Sequence, residues 1–376
     1  MTGRENLYIL IPFIVFILSA AIQLFYYLYY YMAVCFYKPA GKEAVHQPVS
    51  VIICARNEGE NLRKFLPAIL EQDYPDYEVI VVNDCSEDNS YIILGNFLIQ
   101  YPNLRISTVN KDPKFTHNKK FAQFIGIKAA KNEILLFTDA DCKPESDKWI
   151  GSMISHFHEE TDFVLGYGGY MSGKGLLNKY IRYDCLSIAI QYFGIAIRGV
   201  PYMGVGRNLA YRRSLFFANN GYGAHNHLIS GDDDLFVNSN STKTNTSIEF
   251  RQGAHTRSVP ASGFKEWIIQ KKRHLTTAPY YKLRDKIILS VEPVSRILFY
   301  SALITLICFR FNWILISAVF GIRLLIQITV YSLSGKKLNE RGLLPFMIFF
   351  DLFSPLLNVI LFLSNTGSQS GKNRWR

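Results

Sequence analysis

The sequence predicts an α/β domain with a mostly parallel central sheet, flanked by membrane-crossing helices. Three observations carry this expectation: long apolar stretches at both ends, short apolar strands alternating with helices in the middle, and polar residues gathered at the strand ends. At 376 residues the chain can bury a full core without staples. With 49% hydrophobic residues it is too apolar for an ordinary soluble domain, while 19% charged residues exclude a purely membrane-embedded bundle.

The first apolar stretch, residues 7–28, has Gln23 as its one strongly polar residue and matches the ~20 residues needed to cross a bilayer. Small residues at Ser19, Ala20 and Ala21 would suit a cleaved signal, but the run continues through Leu24, Phe25 and Leu28, which favours an anchor over residues 7–31. Tyr26, Tyr27, Tyr29, Tyr30 and Tyr31 form an aromatic girdle, and Lys38 and Lys42 mark the cytosolic face. Three more apolar segments, 287–309, 313–333 and 343–363, divide the chain into an anchor (1–44), a middle domain (45–285) and a C-terminal membrane domain (286–376). Three full C-terminal spans place Lys336, Lys337 and Arg341 inside but leave Lys372, Arg374 and Arg376 outside, against the positive-inside tendency. Asp351 and Pro355 interrupt the last segment and offer a hairpin that re-enters instead of crossing.

The middle domain repeats one unit. Residues 49–55 read as a strand, followed by Arg56, Asn57 and Glu58 and a helix with Leu62, Phe65, Leu66, Ile69 and Leu70 at helical spacing. Residues 77–82 form a second strand ending at Asn83 and Asp84, with a helix near 89–99 and a strand over 104–109; a helix over 119–130 leads to the strand 133–138, which ends in Asp139, Ala140 and Asp141. Continuous apolar strands joined by helices imply a parallel sheet covered on both faces. Ligands of such sheets bind beyond the carboxyl ends of the strands, where these polar groups fall.

Asp139 and Asp141 can face one hard cation; oxygen ligands without a histidine or a second thiol favour Mg2+ or Mn2+ over zinc. The cluster Asp232, Asp233 and Asp234 reads both as a helix N-cap and as a source of a general base, because adjacent carboxylates repel and raise at least one pKa. Gln270 to His274 lie on a basic helix starting near Phe264, where Lys271 and Lys272 suit anionic lipid and the planar fork of Arg273 suits a diphosphate. The net charge of +11 clusters over 111–131, 207–213 and 265–284, beside membrane segments or acidic motifs. Membrane lipids and a phosphate-bearing substrate account for it, and nucleic acid does not. Six scattered cysteines without metal spacing suggest reduced thiols.

Over residues 47–280 these motifs resemble the membrane-bound family 2 glycosyltransferases, relatives of cellulose, hyaluronan and poly-N-acetylglucosamine synthases. Residues 49–58 look like the family's first strand and nucleotide loop, VIVVNDCSEDNS at 79–90 like its second strand and Asp loop, and Asp139-Ala140-Asp141 like its metal motif. Asp232-Asp233 stands where the family has Glu-Asp, and Gln270 to His274 where it has Gln-x-x-Arg-Trp. The resemblance implies a GT-A type fold, a nucleoside diphosphate sugar as donor (UDP commonest, GDP open), inversion at the anomeric carbon, and a glycan or lipid-linked acceptor in cell-envelope polysaccharide synthesis. It assigns Ala55, Arg56, Asn57, Glu58 and Asp84 to the nucleotide, while Lys120 and Lys119 either add donor contacts or form a solvated helix face. Asp141 and Asp139 take the metal, Asp233 the role of base beside Asp232, and Gln270 and Arg273 the diphosphate. The segment GVGRNLAY either places Gly206, Arg207 and Asn208 at the acceptor, with His274, or forms a structural turn. His274 in place of tryptophan offers less apolar face to a sugar, which implies addition of one or a few sugars instead of a long polymer. The implied location is a multi-pass cell-membrane protein with its catalytic domain in the cytoplasm. Three other readings compete: a catalytically inactive glycan-binding or regulatory subunit of an export complex, whose partners the sequence does not specify; a nucleotide-sugar hydrolase; and a transporter. The intact carboxylates and Arg273 weigh against the first, and the large middle domain against the last.

Overall fold

The computed structural model describes residues 3–40, 47–111, 118–228 and 230–366; Lys42, Lys372, Arg374 and Arg376 lie outside the described residues. The middle domain is a GT-A-like α/β fold with ten strands: β1 Val49–Ala55, β2 Tyr77–Asp84, β3 Leu104–Val109, β4 Ile134–Asp139, β5 Cys142–Pro144, β6 Phe163–Gly166, β7 Gly168–Tyr170, β8 Leu209–Arg212, β9 Thr246–Glu249 and β10 Thr256–Ser258. Seven of them form one sheet in the order β3-β2-β1-β4-β8-β6-β9. The first four are parallel, as their continuous apolar sequences require, and β1 is buried along its whole length. Register aligns Ala55 with Asn83 and Cys54 with Asp139, so three strands end together on one edge. β8 runs antiparallel to β4 and brings the backbone before Leu209 to that same edge. A small sheet, β5-β10-β7, pairs Ser258 with both Cys142 and Tyr170 and closes the edge from the far side.

The N-terminal segment is longer than its apolar run. Helix Gly3–Phe25 continues through a π-helical segment, Tyr26–Tyr31, into Met32–Phe36. The widened turn lies where the anchor meets the 22-residue helix Leu176–Ile197 of the middle domain. Gly194 permits that approach, since a Cβ there would lie 2.5 Å from the Tyr30 carbonyl oxygen. Arg198 then donates to the Tyr29 carbonyl at 2.7 Å and covers the Tyr29 ring.

The C-terminal helices are Leu283–Cys308, Trp313–Lys337 and Met347–Thr366, and with the anchor they make four segments long and apolar enough to cross a membrane. The hairpin reading of the last segment is corrected: the helix passes through Pro355 without reversal, and its 20 residues reach about 30 Å. Asp351 has another explanation. It accepts from Arg323 Nη2 and from Tyr300 OH, both at 2.7 Å, while Arg323 Nε donates to Gln23 at 2.6 Å. Gln23, Tyr300, Arg323 and Asp351 thus partner one another, as polar groups must in a medium without water.

The loop between the last two helices is held by the middle domain. Glu340, fully buried, accepts from Arg182 at 2.6 Å, from Arg257 and from Tyr167 OH at 3.0 Å, and Arg257 also donates to the Leu338 carbonyl. The loop therefore lies on the same side of the helices as the sheet. Glu340→Ala would leave two buried guanidinium groups without this carboxylate and is expected to cost about 3–5 kcal/mol. Thermal unfolding of detergent-solubilised protein measures it, and an unchanged melting temperature would contradict the assignment.

Candidate functional site

The shared edge of β1, β2 and β4 collects the acidic groups. Asn118 caps the helix Lys119–Ala129 by accepting from Phe121 N–H at 2.9 Å, which sets Lys119 on the first turn beside the end of β4. Lys119 Nζ donates to Asp139 Oδ1 at 2.7 Å and lies 3.6 Å from Asp232, so one ammonium group joins the two acidic clusters. Burial would raise the Asp139 pKa, but the charge of Lys119 and its hydrogen bond lower it. Asp141 is shifted up by burial and then by Asp139, and the Lys119 ammonium is raised by its carboxylates despite burial.

Ligand atoms of Asp139, Asp141 and Cys142 lie within 4.8 Å of one another. Ser258 Oγ donates to Asp141 Oδ2 at 2.7 Å and fixes its rotamer. Burial keeps the Cys142 thiol protonated, which leaves two carboxylates as the charged donors, a set that fits a hard divalent cation. Glu58 looks onto the same carboxylates; burial, then Asp141 and Asp139 among other charges, raise it to about 7.

In the acidic cluster, Asp233 Oδ1 accepts from Asp234 N–H at 2.8 Å and caps the helix Asp234–Asn240, while Oδ2 accepts from Gly206 N–H at 2.7 Å. Capping and an oriented carboxylate therefore coexist. Asp234 is held through Oδ2 by Thr277 at 2.5 Å and Tyr281 at 2.8 Å. The raised pKa values expected of three adjacent carboxylates appear at Asp232, through burial and then Asp233, and at Asp234, where burial and then Asp233 bring it to about 7.

The loop after β1 is built around Asn57, whose φ of 57° is the left-handed conformation that asparagine tolerates. Asn57 Oδ1 accepts from Glu87 N–H at 2.8 Å, and Gly59 N–H donates to Asp88 at 2.9 Å, so the loops after β1 and β2 are sewn together. Arg56 is half-buried beside them, and Ala55 and Asp84 are buried at their strand ends. On the helix Phe264–Leu275, Gln270 donates to Tyr170 OH at 3.3 Å. Arg273 is half-buried, its charge helps lower the Asp139 pKa, and its guanidinium makes no hydrogen bond among the described residues. His274 is exposed where it opens to the cavity beside the site; partial desolvation there, then the charges of Arg273, Arg207, Lys271 and Lys119, lower its pKa.

Two expected contacts are corrected. Asn208 cannot meet an acceptor: it is 0% exposed, accepts from Trp149 Nε1 at 2.9 Å, and donates to the Tyr167 and Ala254 carbonyls at 2.9 and 2.7 Å. Lys120, 1% exposed, donates to the carbonyls of His225 at 2.6 Å and Leu228 at 3.2 Å, and so shapes the loop before the acidic cluster instead of reaching a donor. Gly206 serves Asp233, to which an added Cβ would come within 3.1 Å. Arg207 stays at the cavity wall, stacked over Tyr170 and donating to its hydroxyl at 2.6 Å. Ser258, Tyr170 and Asp184 escaped the sequence reading because each arrives from a distant element with no local motif around it.

Residues 50–216 match the model of Glycosyl transferase family 2. Among curated proteins, glycosyltransferase AglE of Haloferax volcanii is 37% identical over 109 residues, 28% of this chain and 34% of that protein. The UDP-Glc:alpha-D-GlcNAc-diphosphoundecaprenol beta-1,3-glucosyltransferase WfaP of Escherichia coli is 24% identical over 174 residues, 41% of this chain and 65% of that protein. The chain thus spans from a third to just under two thirds of these relatives. Among solved structures, the mannosyltransferase PcManGT from Pyrobaculum calidifontis, in complex with GDP-Man and Mn2+, aligns with a TM-score of 0.65 at 16% identity, covering 96% of this chain and 100% of that one.

Asp234 yields a stability prediction. Its folded pKa of about 7 exceeds the unfolded value of about 3.9, so the folded state binds the extra proton between those values and loses stability as pH rises through that window. Asp234→Asn preserves a neutral side chain that can accept from Leu235 N–H and donate to Thr277 and Tyr281. The variant is expected to match wild type near pH 4 and to exceed it near pH 8 by on the order of 2 kcal/mol, read as a pH-dependent difference in melting temperature. Coincident curves at both pH values would remove the raised pKa.

Proposed function

Residues 50–216 form a glycosyl transferase family 2 domain, and from that premise we propose that the chain is an inverting glycosyltransferase that moves a sugar from a nucleoside diphosphate to a membrane-associated or lipid-linked acceptor. The observation that carries this reading is the convergence of Asp139, Asp141, Lys119, Asp232 and Asp233 on the edge where β1, β2 and β4 end. The nucleoside lies against Ala55, Arg56, Asn57 and Asp84, with Glu58 beside the phosphates. UDP is the carrier in the bacterial relative's name and GDP in the structural neighbour's; UDP is the carrier proposed here.

The diphosphate lies between Asp139 and Asp141 on one side and Gln270 and Arg273 on the other. Asp139 and Asp141 would hold Mg2+ or Mn2+, which would supply positive charge to offset that of a leaving diphosphate. Arg273, whose guanidinium has no hydrogen-bond partner among the described residues, supplies charge-assisted hydrogen bonds to the same leaving group. Asp233, held by two backbone N–H groups, takes the proton of an acceptor hydroxyl as that oxygen bonds to the anomeric carbon. The bond from that carbon to the diphosphate oxygen breaks in the same displacement, which inverts the configuration. Lys119 offsets the negative charge of Asp139 and Asp232 until donor and cation arrive.

The protein is proposed to sit in the cell membrane as a multi-pass protein with this domain in the cytoplasm. Lys38, Lys336, Lys337 and Arg341 support that orientation, since they flank the domain-facing ends of the helices. His274 supports addition of one or a few sugars, because imidazole offers a smaller stacking face than indole.

Asp233→Asn is expected to lower transfer by about 100-fold or more while manganese-dependent nucleotide binding persists. Retained turnover would assign the base elsewhere. Asp141→Ala should lose both, and normal manganese-dependent binding by thermal shift would remove it from the metal site. With acceptor in excess and donor limiting, products should carry one or two added sugars; long chains beside unused acceptor would defeat the short-addition reading.

A further inference from the structure

Beside Asp233 the site opens into a cavity of about 380 Å³ that continues under the middle domain to Glu292 and Arg296 on the helix Leu283–Cys308. The cations on its wall are already engaged. Lys271 Nζ lies 2.6 Å from Asp184, and Arg296 pairs with Glu292 and, at 3.2 Å, with Asp351. The fork of Arg207 donates to Tyr170 OH and, at 2.9 Å, to the Gly168 carbonyl. Against these three cations the wall carries four carboxyl groups, Asp184, Asp233, Asp234 and Glu292. A phosphate entering here would lose its hydration and meet more carboxyl groups than cations, and among the described residues Arg207 Nε is the one buried donor of those cations left without a partner.

Neutral hydroxyls face no such penalty, since each can donate to a carboxylate and accept from an N–H. The rest of the wall suits a sugar ring. Tyr183, Tyr331 and Trp267 line the cavity with aromatic carbon. Asn358 Oδ1 on the last helix is buried at the cavity without a hydrogen-bond partner, an acceptor awaiting a donor. The volume lies near the lower end of small-molecule cavities, about 300–1,000 Å³, which suits a short saccharide stub.

We propose that this cavity is a subsite for the uncharged sugar end of the acceptor, with any lipid phosphate held outside it. The assignment rests on the transferase reading only in calling the ligand an acceptor. Its consequence is that a glycosylated lipid or glycan serves as substrate and a bare polyprenyl phosphate does not.

The test uses full-length protein in a polyoxyethylene detergent, whose headgroup mimics neither ligand. Two diazirine-bearing probes, an octyl hexopyranoside and octyl phosphate, are photo-cross-linked and mapped by mass spectrometry, each with its unlabelled analogue as competitor. The glycoside is expected to label peptides carrying Cys185, Arg296 or Asn358 in a competable manner, and the phosphate is not. Asn358→Leu should raise the glycoside concentration for half-competition about fivefold, the loss of one hydrogen bond. Competable phosphate labelling at these peptides, or no competable glycoside labelling in wild type, would overturn the assignment. Nucleotide thermal shift with manganese on the same sample reports separately on the transferase reading, whose failure would leave a positive cross-link standing.

Discussion

Glu340 sets the position of the site relative to the apolar C-terminal helices. This single buried carboxylate sits in the loop between two apolar helices and is gripped by Arg182 and Arg257 of the middle domain. Arg257 is on β10, whose neighbour Ser258 holds Asp141, so the residue that docks the membrane helices and the one that orients a candidate metal ligand are adjacent. Arg182 is on the helix Leu176–Ile197, which carries Asp184 and Cys185 at the cavity wall and receives the π-helical turn of the anchor. Buried pairs of this kind contribute little net stability compared with a well-packed apolar contact, but they tolerate only one geometry. The docking therefore specifies orientation more than it adds stability.

A similar economy governs the acidic edge. Three strands end together because a parallel register puts them there, and carboxyl groups from the loops after β1 and β4 then gather beside those of the acidic cluster. Lys119 makes that concentration tolerable by contacting both clusters, and the carboxyl groups divide accordingly: Asp139 beside the ammonium is held low, while Asp141, Asp232 and Asp234 are pushed up. A site with this division can accept a phosphate-bearing ligand with a divalent cation, since the incoming charges replace the interactions that Lys119 supplies in their absence. The membrane helices repeat the logic without water: Gln23, Arg323, Tyr300 and Asp351 come from four helices and leave one another few alternatives.

Much of this architecture was legible locally. Runs of apolar residues give the four candidate spans because length and composition alone decide whether a helix can cross a bilayer. Periodicity gives β1 to β4 and the helices between them, and the parallel rule then places Ala55, Asp84 and Asp139 on one edge before any contact is known. What local pattern could not give was the direction of individual side chains. Lys119 and Lys120 are neighbours with the same chemistry, yet one faces the carboxylates and the other a loop, because the helical twist separates them by about 100°. Asn208 reads as a polar residue in a glycine-rich loop and proves to be a buried strut for three backbone and side-chain partners.

The sequence by itself determined the elements, their order and the edge on which chemistry collects, since these follow from run length, periodicity and strand direction. Tertiary structure alone decided the partners. Asp351 looks like a break in an apolar helix until Arg323, 28 residues away, is seen to answer it. Ser258 carries no motif, and only the pairing of β10 with β5 brings it to Asp141, 117 residues earlier. The cavity has no sequence signature at all, because its wall is assembled from the anchor, the middle domain and the membrane helices together. Such contacts depend on how distant surfaces fit, and local composition holds no record of that fit.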